Sequence, residues 1–130
     1  MTPSQAELDI LHVLWAHAPA TVRFVHEHLQ TKKEVGYTTT LKQIQRMTEK
    51  GLIAQHKTGR SHEYTPLVQE EDVKKSLFQQ LVDTAFQGST IDLVMHALGQ
   101  EQPSESELSE LESWLQARKE QASPSEDKHT

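Results

Sequence analysis

The sequence predicts a mainly α-helical chain carrying one small β-hairpin. Three observations point there. Apolar residues recur at helical spacing through most of the 130 residues. Ser-x-x-Glu signatures, which open helices, stand at Ser4 and again at Ser104. Between them, residues 52–66 fold back around Lys57-Thr58-Gly59-Arg60, where Gly59 supplies the positive φ of a tight turn. A basic helix directly before a two-stranded tip has the outline of a winged helix-turn-helix. The expected architecture is therefore a winged-helix domain over residues 1–68, a helical dimerisation domain over 69–120, and a disordered tail over 121–130.

The first helix follows the capping box Ser4-Gln5-Ala6-Glu7 and ends near His17, before Pro19. Leu8, Leu11 and Trp15 form its apolar stripe, widened by Ile10 and Leu14. Thr21 caps a second helix that runs to about Gln30, with Val22, Val25 and Leu29 inward. A polar turn over residues 32–36 leads to the third, over residues 38–50, opened by Thr38, Thr39 and Thr40 and stopped by Gly51. Leu41, Ile44 and Met47 give it one buried edge, while Thr39, Thr40, Lys42, Gln43, Arg46 and Lys50 form the other face. Those residue types suit a DNA groove: Arg and Lys donate to guanine, Gln pairs with adenine, and Thr reaches phosphate or a thymine methyl. A solvated helix face could carry the same residues, and the hairpin that follows is what favours the groove.

Strands over residues 52–56 and 61–65 make that hairpin, with Tyr64 turned inward and Lys57, Arg60 and His62 lining a basic wing over residues 57–62. After Val68 the character changes. Glu70, Glu71 and Asp72 favour a helix start, because the dipole there attracts anions. Leu77, Phe78, Leu81 and Phe86 stripe that helix, Val94 and Leu98 the next, and Leu111, Trp114 and Leu115 the last. Ile91, Met95 and Leu108 extend the last two stripes. Three short helices cannot bury such faces among themselves. They pair with a second copy about a two-fold axis, or fold back on the first domain; pairing is the favoured reading.

Composition narrows the function classes. Without cysteine there is no disulfide framework, thiolate metal site or cysteine nucleophile. No run approaches the roughly 20 apolar residues of a membrane span, so a cytoplasmic location without membrane contact is the expectation. The net charge of −6 is unevenly spread. Residues 1–68 hold 8 Lys and Arg against 6 Asp and Glu, whereas residues 69–130 hold 5 against 13. Cations thus accompany the reading head and anions the helical half. The eight histidines lack metal-ligand spacing: His26 and His28 sit two apart, and no His-Glu-x-x-His occurs. Neither a metal, a cofactor nor an enzymatic reaction is expected, and no catalytic constellation is present.

Read together, Tyr37-Thr38-Thr39, Gln45-Arg46-Met47, Glu49-Lys50-Gly51-Leu52-Ile53, Gly59-Arg60 and Tyr64-Thr65-Pro66-Leu67 resemble the BlaI/MecI/CopY penicillinase-repressor family. Glu7-Leu8, Val13-Leu14-Trp15 and Ala20-Thr21-Val22 extend the resemblance, which covers residues 4–118. It implies a homodimeric repressor on a palindromic double-stranded DNA operator. Thr38, Thr39, Thr40, Gln43 and Arg46 would then fall on the recognition helix and Gly59-Arg60 on the wing. It also implies inactivation by a sensor protease at an Asn-Phe bond, or through C-terminal cysteines. This chain has neither asparagine nor cysteine; His96-Ala97 stands nearest the position of that bond. The alternative reading is a winged-helix protein-interaction module without DNA binding, which the net acidity favours and the polar helix face opposes.

Overall fold

The computed structural model describes residues 2–127, with side chains through residue 122. Six helices and one hairpin follow in order: α1 (Gln5–His17), α2 (Val22–Gln30), α3 (Tyr37–Lys50), β1 (Ile53–Thr58), β2 (Ser61–Pro66), α4 (Glu70–Ala85), α5 (Thr90–Gln100) and α6 (Glu105–Asp127). The mainly α class with one hairpin is as expected. The chain divides into two compact units, residues 1–81 and 82–130, and the divide falls inside α4.

Local signals explain most boundaries. The Ser4 capping box forms in full: the Ser4 hydroxyl accepts from the Glu7 amide at 3.2 Å, and the Ser4 amide donates to the Glu7 carboxylate at 2.8 Å. The Thr21 hydroxyl accepts from the Phe24 amide at 3.1 Å, capping α2. Gly51 closes α3 in the left-handed region at φ 83°, where a side chain would be strained. Ser104 and Glu107 repeat the reciprocal capping of α6.

The first unit is built on one core. Ile10, Leu11 and Leu14 of α1, Val25 and Leu29 of α2, Ile44 and Met47 of α3, and Ile53 and Tyr64 of the hairpin are all buried in it. Each helix contributes one face, so the three close around a shared interior as amphipathic spacing requires. The Trp15 indole donates to the Val68 carbonyl at 3.0 Å, tying the end of the hairpin segment back to α1.

Three sequence expectations need correction. The third helix is not capped by threonine: Gly36 is its N-cap, without a side-chain bond, and the helix starts at Tyr37. Thr38 to Thr40 are therefore its first turn. The hairpin turn contains two residues rather than four, because Thr58 pairs with Ser61 and Gly59, at φ 62°, completes the reversal with Arg60. Lys57 consequently belongs to β1. Finally, α6 runs on to Asp127, past residue 121, where the tail was expected to begin. Arg118, Lys119, Glu120, Gln121 and Ala122 are all good helix formers that carry the helix past residue 121 at little cost. Residues 128–130 lie outside the described residues.

In the second unit the helices leave much of their apolar surface uncovered. α5 has no buried residue at all. Ile91 is 70% exposed, Met95 63% and Trp114 57%, and Val94, Leu98, Leu108 and Leu115 are exposed as well. Phe86 is half-buried and meets the His96 ring edge-on at 5.6 Å. Within α4, Phe78 and Leu81 are exposed while Leu77 is half-buried, and Leu111 of α6 is half-buried too.

Candidate nucleic-acid interface

Helix α3 is held from three directions, and that fixes which of its residues face water. Its inward face is Thr40, Ile44 and Met47, each at most 1% exposed. At its C-terminal end the Lys50 ammonium donates to the buried Glu7 carboxylate at 2.7 Å. Near its N-terminal end His26 Nδ1 and the Thr40 hydroxyl share a hydrogen bond of 3.2 Å. The His26 ring also meets Tyr37 edge-on at 5.3 Å.

Thr38, Thr39, Lys42 and Arg46 are exposed on α3, and Gln43 is half-buried. Thr40 is a correction: it was expected on the polar face, but helical rotation places it four residues before Ile44, on the inward side, where it bonds His26. Its hydroxyl cannot reach a base from there. Lys50 likewise leaves the set, since its ammonium neutralises Glu7. Gln45 joins it: three residues after Lys42 and exposed, it shares that face, and helical periodicity alone could have found it.

The wing is anchored by an interaction with no sequence signature. Ala20, in the link between α1 and α2, pairs with Tyr64 as an isolated bridge, each amide donating to the other's carbonyl at N···O distances of 3.1 and 2.8 Å. The Tyr64 hydroxyl accepts from the Gln55 amide at 2.9 Å, and its ring is buried. From this base Lys57 and His62, paired across the strands, and Arg60 in the turn extend into solvent. A cationic tip on a fixed stalk can meet a phosphate backbone, whereas sequence must be read by side chains reaching base edges.

Glu7 gives this arrangement a pH dependence. Burial pushes its carboxyl up, but the hydrogen bond from Lys50, the bonds from Ser4 and the Lys50 charge outweigh that and hold it below its ordinary value of 4.5. A depressed carboxyl contributes stability above its unfolded value, and that contribution fades as pH falls through the folded one. The Glu7→Gln variant is therefore expected to show a flatter decline of thermal stability below about pH 4.5 than the wild type. Parallel declines in Tm measured from pH 7 to pH 3 would contradict this.

The chain is similar to known proteins along most of its length. Residues 3–117 match the family described as penicillinase repressor. The methicillin resistance regulatory protein MecI of Staphylococcus aureus (strain N315) is 27% identical over 112 residues, covering 86% of this chain and 91% of that protein. The penicillinase repressor of Bacillus licheniformis is 28% identical over 116 residues, covering 89% and 91%. Among solved structures, the solution structure of the monomeric form of Bacillus licheniformis BlaI in complex with the blaP half-operator shares 30% identity. It covers 55% of this chain and 88% of that one, with a TM-score of 0.49. Since the family match begins before α1 and reaches well into α6, this chain belongs to the penicillinase repressor family, which is made up of transcriptional repressors rather than enzymes.

Proposed function

We propose that the chain acts in the cytoplasm as a homodimer that represses transcription by occupying a dyad operator in double-stranded DNA. Thr38, Thr39, Lys42, Gln43, Gln45 and Arg46 face the major groove, and Lys57, Arg60 and His62 grip the flanking backbone. The observation that carries this reading is the split of α3: one face is locked in the core while the other holds its Thr, Lys, Gln and Arg side chains open to water. The exposed apolar faces of α5 and α6 pair with the second copy, and Leu77, Phe78 and Leu81 of α4 are further apolar residues that take part in pairing. Two heads fixed about 34 Å apart would demand half-sites one helical turn apart, or a multiple of that.

A gel-shift series in rising salt tests the reading directly. Each phosphate neutralised releases counterions, so operator affinity should fall steeply and linearly on a log–log plot. A protein-interaction module would show no such slope. Replacing Arg46 by Ala is expected to cost about 1–3 kcal/mol on the operator and to relax selectivity at one base pair. Equal weakening on operator and random DNA would make Arg46 a phosphate contact instead.

A further inference from the structure

Outside the DNA-facing surface, the first unit carries a groove of about 390 Å³ between the C-terminal halves of α1 and α2. That volume lies in the range of about 300–1,000 Å³ usual for small-molecule sites. Its floor is apolar, formed by Val13, Ala16 and Leu29. Its walls carry the rings of His12, His17 and His28. His17 and His28 lie 4.8 Å apart, and Phe24 packs against both, 4.3 Å from His28 and 5.3 Å from His17, so the wall is a cluster of tilted rings. The rim is the turn joining the two helices of the helix-turn-helix, where Thr31, Lys32 and Lys33 close over the groove.

Charge and shape together select the ligand. Lys33 is engaged by Asp9 at 2.6 Å, and Asp9 is the one acidic side chain lining the groove among the described residues. Lys32 forms no ion pair among the described residues and remains available to an anion. Among the described residues no three His, Asp or Glu side chains converge as a metal ion would require. A flat ring fits against this cluster of rings, edge-on or tilted as they meet one another, and a carboxylate fits the lysine rim.

We propose that this groove is an effector site for a small aromatic carboxylate, and that its occupancy weakens operator binding. The regulatory half rests on the DNA-binding reading above. The coupling runs through the rim. Lys32 and Lys33 both donate their amides to the Leu29 carbonyl at 3.1 Å, and the Lys33–Asp9 pair pins this turn to α1. A bound carboxylate competes with Asp9 for Lys33 and draws Lys32 inward. The turn is then re-seated four residues before Tyr37, where α3 begins.

The test titrates the full-length chain with benzoate, uncharged benzamide and cationic benzylamine, following the histidine ring signals by NMR. Benzoate is expected to shift His17 and His28 saturably and to bind about tenfold tighter than benzamide. Lys32→Gln should weaken benzoate about tenfold, and Ala16→Trp, filling the groove from an exposed position, should abolish the shifts. Saturating benzoate should lower operator affinity by a factor within about 5–150, and leave the Ala16→Trp variant unaffected. No saturable shift, or benzamide binding as well as benzoate, would overturn the site. Binding without any change in operator affinity would overturn the regulation. The ligand titration needs no DNA, so a chain that fails to bind its operator at all would count against the DNA-binding reading and not against the groove.

Discussion

Truncation after Leu81 is expected to lower operator affinity by about 10²–10⁴-fold while leaving the reading head folded. Every side chain of the core shared by α1, α2, α3 and the hairpin lies before that point, so the cut removes none of them. What it removes is the apolar surface of α5 and α6, where Ile91, Met95 and Trp114 stand more than half exposed. When one head of a dimer binds, the second meets its half-site at an effective concentration set by their tether; a monomer has no such gain. Sedimentation should show the full chain as a dimer and residues 1–81 as a monomer, with gel shifts reporting the affinity. A truncated chain that still dimerises, or that binds the operator as tightly as the full chain, would sink the assignment of pairing to α5 and α6.

That dependence on pairing follows from charge as well. The head carries few cations in excess of its anions, and one of them, Lys50, is spent on Glu7 inside the fold. The Lys and Arg side chains it is proposed to turn to DNA, Lys42, Arg46, Lys57 and Arg60, are too few for tight binding by one copy under salt. Doubling the head at fixed spacing doubles the phosphate contacts in a single event.

The helices were legible in the sequence because their signals are local. Ser4 with Glu7, Thr21 before Val22, and Ser104 with Glu107 each announce a helix start through a bond spanning three residues. Amphipathic spacing then assigns an inward face. What local patterns do not encode is set at longer range. The Ala20–Tyr64 bridge joins residues 44 positions apart and follows from how α1 packs under the hairpin, which no pattern encodes. Thr40 departs from the expected polar face for a related reason. A threonine in a run of three looks like its neighbours, yet the partner that draws it inward is His26, on another helix. The Lys50–Glu7 pair spans 43 residues and was equally invisible. Polar type suggests a surface position; only the packing of a second element shows which polar groups are taken.

Ile44→Ala is expected to destabilise the first unit by about 2–5 kcal/mol, the cost of a lost side chain plus the cavity it leaves. Ile44 is fully buried at the centre of the inward face of α3, between Thr40 and Met47, so surrounding side chains can close only part of the gap. With domain stabilities of about 5–15 kcal/mol, that is a large fraction of the total. The thermal midpoint should fall by about 4–8 °C for each kcal/mol lost. The functional signature separates this variant from Arg46→Ala. Ile44 touches no base, so at low temperature, where the variant remains folded, its operator affinity should stay close to wild type. Arg46 is exposed, so its loss should leave the midpoint unmoved and reduce affinity at every temperature. Denaturation curves and gel shifts on both variants decide the matter. A stable Ile44→Ala that no longer binds DNA, or an Arg46→Ala that unfolds early, would reverse the two faces assigned to α3.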